Sequence, residues 1–140
     1  MEAKDLMVDI FVYFCCFDGS KIAVRITGFK DGIVYGDSER GSHWCNIEKV
    51  KPILLIPEIL EKNGFKRDPL WHHCDKDLCD YTISVQLGYA NKIEYIKIAE
   101  KGKDNVIPSE RTKMYLTHIK YVHQLQHALR LCGIEKEIIL

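Results

Sequence analysis

The sequence predicts an α+β protein with a small SH3-like β-barrel at the N-terminus, a short linker helix, and a small antiparallel sheet packed against one C-terminal helix. Short runs of alternating apolar and polar residues, separated by turn dipeptides, recur over the first 52 residues, a pattern typical of a small barrel. A single long segment near the C-terminus has helical periodicity. The 140 residues suit one domain or two very small ones, and a chain of this size buries about two thirds of its unfolded surface.

The barrel is assigned to residues 1–56. Its clearest strand is 21–27, where Ile22, Val24 and Ile26 alternate with more polar residues, as expected of a half-buried strand. Asp-Gly pairs at 18–19 and 31–32 predict tight turns on either side of it. The other segments predicted as strands are 8–17, 33–35 and 43–50.

A linker helix is predicted at 57–65, because Pro57 suits a first helical position and Gly64 a left-handed C-cap. Residues 66–140 are assigned to the sheet and the C-terminal helix. Alternation predicts strands from residue 80 to 87, from 93 to 98 with a bulge near Tyr95, and from 113 to 116. Polar turns are predicted at 75–77 and 101–105.

The C-terminal helix is predicted between Thr117 and Gly133, where glycine suits the C-cap. Its predicted apolar face carries Tyr121, Val122, Leu125, Ala128, Leu129 and Cys132. Its opposite face carries Lys120, His123, His127 and Arg130. Residues 134–140 are interpreted either as a final strand or as an extended tail.

The composition excludes several classes of protein. Lysine and arginine together number 20, as do aspartate and glutamate, so a uniformly basic nucleic-acid binder is not expected. Residues 111–140 nevertheless contain 5 basic and 2 acidic side chains, which directs attention to the C-terminal helix. The N-terminal segment lacks the apolar stretch of a signal peptide, so a cytoplasmic location and free thiols for the six cysteines are expected. No membrane association is expected, because the longest apolar run is only 53–57.

Two segments resemble a family of small uncharacterised proteins from bacteriophages and mobile elements of gut anaerobic bacteria. They include VKPI at 50–53 with the linker PEILEKNGF at 57–65, and the helix YVHQLQHALRLCGI at 121–134. The resemblance implies the same layout of barrel, linker helix, sheet and C-terminal helix, and it supplies no catalytic residues. The family usually has threonine where this chain has Ile56, so the linker helix is expected to lack a side-chain N-cap.

Two clusters suggest metal binding, although no metal and no cofactor is assigned. His123 and His127 have the spacing of an H-E-x-x-H zinc helix, but Gln124 stands at the position of the catalytic glutamate, and a neutral amide cannot act as a general base. His73, Cys74 and Cys79 form the second cluster, without a Cys-x-x-Cys spacing. The chain has no P-loop, no Gly-x-Ser-x-Gly and no dinucleotide fingerprint, so an enzyme is not predicted.

The remaining prediction is binding. The candidate ligand-binding residues are Lys120, His123, His127 and Arg130 on the helix, with Trp71 and Trp44 as stacking surfaces. The leading hypothesis is a non-enzymatic counter-defence protein that sequesters an anionic, nucleotide-like signalling molecule as a homo-oligomer. One alternative is an adaptor whose barrel binds a host protein or nucleic acid, although nucleic acid is not the expected partner. The other is a metal-binding protein with a degenerate H-E-x-x-H site.

Overall fold

A computed structural model of the chain describes residues 1, 6–70, 72–78, 80–101 and 112–140. Within them, two five-stranded antiparallel sheets and two α-helices confirm the α+β class. These residues form two compact units, Met1–Leu54 with Tyr121–Gln126 and Leu55–Lys120 with His127–Leu140. No helix in the described part of the chain has the length and apolar character needed to cross a membrane.

The first unit contains one sheet of β1 (Phe11–Cys15), β2 (Lys21–Lys30), β3 (Ile33–Ser38), β4 (Gly41–Asn46) and β5 (Val50–Pro52). The strand order is β4-β3-β2-β1-β5, so β4 and β5 form open edges and the closed SH3-like barrel is not confirmed. The predicted alternation in β2 is confirmed, because Val24 and Ile26 are fully buried. They belong to a core that also contains Leu6, Ile10, Val12, Phe14, Val34 and Val50.

Glycine at position 36 is required by the packing of β3 against β2. A Cβ atom there would lie 3.0 Å from both the Arg25 carbonyl oxygen and Val24 Cγ2. We therefore expect Gly36→Ala to lower the free energy of unfolding by about 1–3 kcal/mol through overpacking. Gly28→Ala is the control, because no atom lies within 4 Å of its Cβ position. Urea unfolding compares the two variants, and equal stabilities would contradict this packing.

The second unit contains α1 (Pro57–Lys62) and a sheet of β6 (Lys66–Asp68), β7 (His73–Leu78), β8 (Tyr81–Leu87), β9 (Ile93–Glu100) and β10 (Thr112–Thr117). The strand order is β10-β9-β8-β7-β6. One face supplies the buried side chains Cys74, Ile83, Val85, Leu87, Ile96 and Ile98. A bulge occurs at Glu94, just before the predicted break between Tyr95 and Ile96, since Gln86 pairs with Tyr95 and Leu87 with Ile93.

The predicted polar turn at 75–77 is wrong, because these residues form the middle of β7. Asp75 and Asp77 alternate with Lys76, which occupies a position on the same face as buried Cys74. The Lys76 ammonium lies 5.8 Å from the centre of the Phe65 ring and donates a hydrogen bond to the Asn63 carbonyl. A lysine can take an inward position when its aliphatic part covers apolar surface. The strand was not predicted because the hydrophobic pattern counts this lysine as polar. The other predicted turn, 101–105, lies outside the described residues except for Lys101.

The linker helix is confirmed as α1, with Ile56 as an N-cap that makes no side-chain hydrogen bond and Gly64 in the left-handed region at φ +82°. The C-terminal helix, α2 (Val122–Leu131), begins later than predicted, because Thr117 is the last residue of β10 and the Lys120 carbonyl accepts a hydrogen bond from the Leu55 amide. Gly133 takes the predicted left-handed C-cap at φ +70°. Residues 134–140 form a tail without regular structure, and Asn63 exchanges two hydrogen bonds of 2.7 Å with the Ile139 backbone.

Candidate functional site

The outer face of the first sheet carries a cluster of aromatic side chains. Successive strand residues point to opposite faces, so the neighbours of the buried residues Val12, Phe14 and Val34 face outward. We call this surface the aromatic face, and its aromatic residues are Phe11 and Tyr13 on β1, Tyr35 on β3 and Trp44 on β4.

Tyr35 and Trp44 are the most exposed of the aromatic residues on this face. They are directly paired across β3 and β4, and they are 43% and 67% exposed, respectively. On the other side of Tyr35 its partner in β2 is Gly28, which places no side chain on the sheet and has open space around its Cβ position. The ring of Tyr35 therefore borders an open groove of about 370 Å³.

The groove continues from the aromatic pair to a polar pair one step along the same strands. Asp37 and Ser42 are directly opposite each other, and Ser42 Oγ donates a hydrogen bond of 2.8 Å to Asp37 Oδ1. Ser38 and His43 alternate to the opposite face of the same hairpin, where Ser38 Oγ and His43 Nε2 share a hydrogen bond of 2.7 Å. On the aromatic face, the Ser42 contact fixes a carboxylate close to a planar aromatic surface.

Three cationic side chains lie on the aromatic face. The Lys21 ammonium is 5.9 Å from the centre of the Tyr13 ring, and Lys51 pairs directly with Tyr13 across β1 and β5. On β2, Ala23 is the partner of Tyr13, and Arg25 lies two residues further along the strand. The Nε atom of Arg25 is 4.0 Å from Asp9 Oδ1. Aromatic rings and positive charges are thus interleaved on one sheet surface.

The residues predicted on the C-terminal helix have different environments. Lys120 precedes α2 and is exposed, as is Arg130 in the last turn, whereas His127 is half-buried. His123 is only 5% exposed, and its ring stacks on that of Tyr121 with 5.7 Å between centres. Of the two predicted stacking residues, Trp44 belongs to the aromatic face, and Trp71 lies outside the described residues.

The metal candidates do not assemble into a site in the described ranges, where no group of three or more His, Cys, Asp or Glu side chains is placed to hold an ion. Gln124, at the position of a zinc-helix base, instead accepts a hydrogen bond of 3.1 Å from the Tyr121 amide, as a residue at the third helical position does in a capping box. Burial raises the pKa of the Cys74 thiol, and Cys79 lies outside the described residues.

A second groove, of about 650 Å³, borders β6 and β7 in the second unit. His73 Nδ1 lies 2.7 Å from Asp75 Oδ2, and His73 Nε2 lies 3.9 Å from Asp68 Oδ2. Lys66 and Arg67 also line this groove, so it contains both signs of charge with neither in clear excess. These mixed charges give a polyanion no clear attraction to this groove.

The Cys45 thiol of the first unit does not favour nucleophilic catalysis. Burial is the main cause that raises the pKa of Cys45 to about 11, with smaller contributions from Cys15 and Cys16. A thiol with this pKa is protonated at neutral pH and is a poor nucleophile.

The sequence named Trp44 as a stacking surface for a ligand on the C-terminal helix and did not name the residues around it in the sheet. Tyr35, Asp37 and Ser42 carry no motif, and their relation to Trp44 depends on the register of a hairpin whose strands were predicted too short or out of place. The signal available was the alternation of Tyr35 with Asp37 and of Ser42 with Trp44. No protein-family model, curated protein or solved structure matches this chain.

Proposed function

We propose that this protein is a non-enzymatic binding protein that holds single-stranded nucleic acid on the aromatic face of its first sheet. The observation that carries the proposal is the exposed Tyr35–Trp44 pair beside Gly28. Bases stack on exposed aromatic rings whatever their sequence, and each such contact contributes about 1–3 kcal/mol. The neighbouring positive charges suit the phosphates that connect the bases.

The spacing of the rings favours an oligonucleotide over a mononucleotide. Trp44 on β4 and Tyr13 on β1 are separated by three strand intervals, about 14 Å across the sheet at the usual spacing of strands. They are also offset along the strands, because Tyr13 lies level with Ala23 of β2 and Trp44 with Gly28. A single base stacked on Trp44 cannot also contact the ring of Tyr13. A short strand of several nucleotides can contact both rings and place its phosphates near Lys21 and Lys51.

The proposal keeps a nucleobase joined to phosphate as the ligand chemistry. It differs from the sequence prediction in two ways: the ligand is a single strand of nucleic acid, which was not the expected partner, and it lies on the sheet instead of the helix. The alternative site on the helix is the one built from Lys120 and Arg130. The phage or mobile-element origin, the counter-defence role and the homo-oligomeric state stay predictions, and a protein that binds single strands is compatible with each of them.

Fluorescence anisotropy with a labelled oligothymidylate tests the proposal. Binding is expected in the micromolar range or tighter. The logarithm of the affinity should fall against the logarithm of salt concentration with a slope of about −2, as expected when roughly three cations contact a single strand. Absence of binding at low salt would contradict the proposal.

Calorimetry with mononucleotides distinguishes the alternative site on the helix from the site on the sheet. If a mononucleotide binds the unmodified protein and this binding is lost in Lys120→Ala/Arg130→Ala, the ligand lies on the helix.

Filling the groove at Gly28 is expected to weaken binding without harming the fold. A Gly28→Val side chain would project onto the aromatic face beside Tyr35, into open space, and valine is favoured over glycine in a strand. We expect the oligonucleotide affinity to fall about tenfold, the equivalent of one weakened stacking contact, while thermal stability stays equal or rises. Gly28→Ala should have a smaller effect. An unchanged affinity in Gly28→Val would exclude this groove from the binding site.

A further inference from the structure

We infer that Asp37 gives the aromatic face a preference for guanine over the other bases. The inference rests on the proposed function, because it concerns the base that stacks on the Tyr35–Trp44 pair. Asp37 is two residues beyond Tyr35 on β3, and Ser42 is two residues before Trp44 on β4. The four side chains therefore form a block of two paired rows on one face of the hairpin.

The distance between the two rows fits the size of a base. Two residues of an antiparallel strand advance about 6.8 Å, so a base that lies on an aromatic ring in one row brings its edge to the side chains of the next row. Asp37 and Ser42 both line the same groove as Tyr35. The edge of the stacked base is thus read by a carboxylate and a hydroxyl.

The carboxylate has the chemistry to select a hydrogen-bond donor. An ionised carboxylate only accepts hydrogen bonds, and Ser42 Oγ holds Asp37 in place by donating to Oδ1. Guanine offers two adjacent donors on its Watson–Crick edge, N1–H and the 2-amino group, which match the two carboxylate oxygens. Cytosine and adenine each offer one amino group there. Uracil and thymine place N3–H between two carbonyl oxygens, which a carboxylate repels.

Neighbouring charges are compatible with an anionic ligand at this position. Arg25 is paired directly with Asp37 across β2 and β3, so a positive charge stands next to the carboxylate. The phosphates can follow the side of the face that carries Arg25 and Lys21, while the base edge points toward Asp37. The base is then recognised on its edge, as is usual for proteins that read single strands.

Anisotropy with seven-nucleotide oligothymidylates that carry one variable central base tests the inference. Central guanine should raise the affinity about tenfold over thymine, within the range of a bidentate base contact. Central inosine, which keeps N1–H and lacks the 2-amino group, should give an intermediate value. Asp37→Asn should abolish the guanine preference and should bind the all-thymine strand at least as tightly as the unmodified protein, because it removes the negative charge that repels the thymine carbonyl oxygens and leaves only one acceptor oxygen.

Two results would overturn the inference alone: equal affinities for all central bases in the unmodified protein, or a guanine preference that survives in Asp37→Asn. Failure of every oligonucleotide to bind the unmodified protein would overturn the proposed function as well. The all-thymine strand therefore separates the two outcomes.

Discussion

Replacing both Tyr35 and Trp44 with alanine is expected to weaken oligonucleotide binding about a hundredfold. Each ring is available to one base, and loss of a stacked base costs about 1–3 kcal/mol. The fold should survive, since the two side chains are 43% and 67% exposed and a cross-strand pair contributes only about 0.2–1 kcal/mol to stability. Fluorescence anisotropy measures the affinity, and thermal unfolding followed by circular dichroism confirms that the variant is folded.

The second sheet provides a matched control for this variant. Tyr95 and Tyr115 also form an aromatic pair on neighbouring strands, with 4.9 Å between ring centres, and Tyr115 is 56% exposed. Tyr95→Ala/Tyr115→Ala removes the same kind of surface from a region outside the proposed site. We expect it to bind as tightly as the unmodified protein. Equal losses in the two double variants would contradict a site on the first sheet.

Gln126→Ala is expected to lower the free energy of unfolding by about 2–3 kcal/mol. Gln126 is only 4% exposed, and its side chain bonds to the backbone of the first unit at two points. Its Oε1 accepts a hydrogen bond of 3.0 Å from the Phe11 amide, and its Nε2 donates one of 3.4 Å to the Asp9 carbonyl. Truncation leaves both backbone groups without these partners, and a buried polar group left unsatisfied costs about 1–3 kcal/mol.

Gln124→Ala is the control for this experiment, because Gln124 is less buried and accepts one hydrogen bond at the start of α2. Loss of that cap should cost about 1 kcal/mol. Urea unfolding monitored by circular dichroism gives both values. If Gln126→Ala were no more destabilising than Gln124→Ala, the hydrogen bonds of Gln126 to the backbone of Asp9 and Phe11 would not be important to the fold.

Local patterns predicted the elements whose formation depends on nearby residues. The alternation of Ile22, Val24 and Ile26 predicted β2, and the Pro57 and Gly64 signals predicted α1. Each of these signals acts within one element, through the period of a strand or the conformation of one terminal residue. The α+β class followed from the number and order of such elements.

Features that depend on tertiary contacts were not predictable in this way. The open edges of the first sheet depend on pairing between distant strands, and β7 contains an inward lysine that a hydrophobicity pattern counts as polar. The helical period placed His123 opposite the apolar face, yet it is buried along with Gln126. Polar side chains enter an interior when specific partners satisfy them, and partners distant in sequence are not visible in a periodic pattern.

The candidate site was predictable only in part for the same reason. Trp44 was named from the sequence because an aromatic ring is a general stacking surface for bases. Its association with Tyr35 and Gly28 required the register of β2, β3 and β4, and a shift of one residue would move Tyr35 to the other face. The bulge between Ile26 and Gly28 contributes to that register and has no clear signature in the sequence.

An NMR titration of the ¹⁵N-labelled full chain with oligothymidylate tests the central claim most directly, with the two indole signals assigned through Trp71→Phe. The account predicts progressive, saturable shifts of the Trp44 indole N–H and of the amides of β3 and β4 around Tyr35 and Asp37. It predicts little change at Lys120 and Arg130. Shifts confined to those two residues and the rest of the C-terminal helix, or no shifts at saturating ligand, would contradict it.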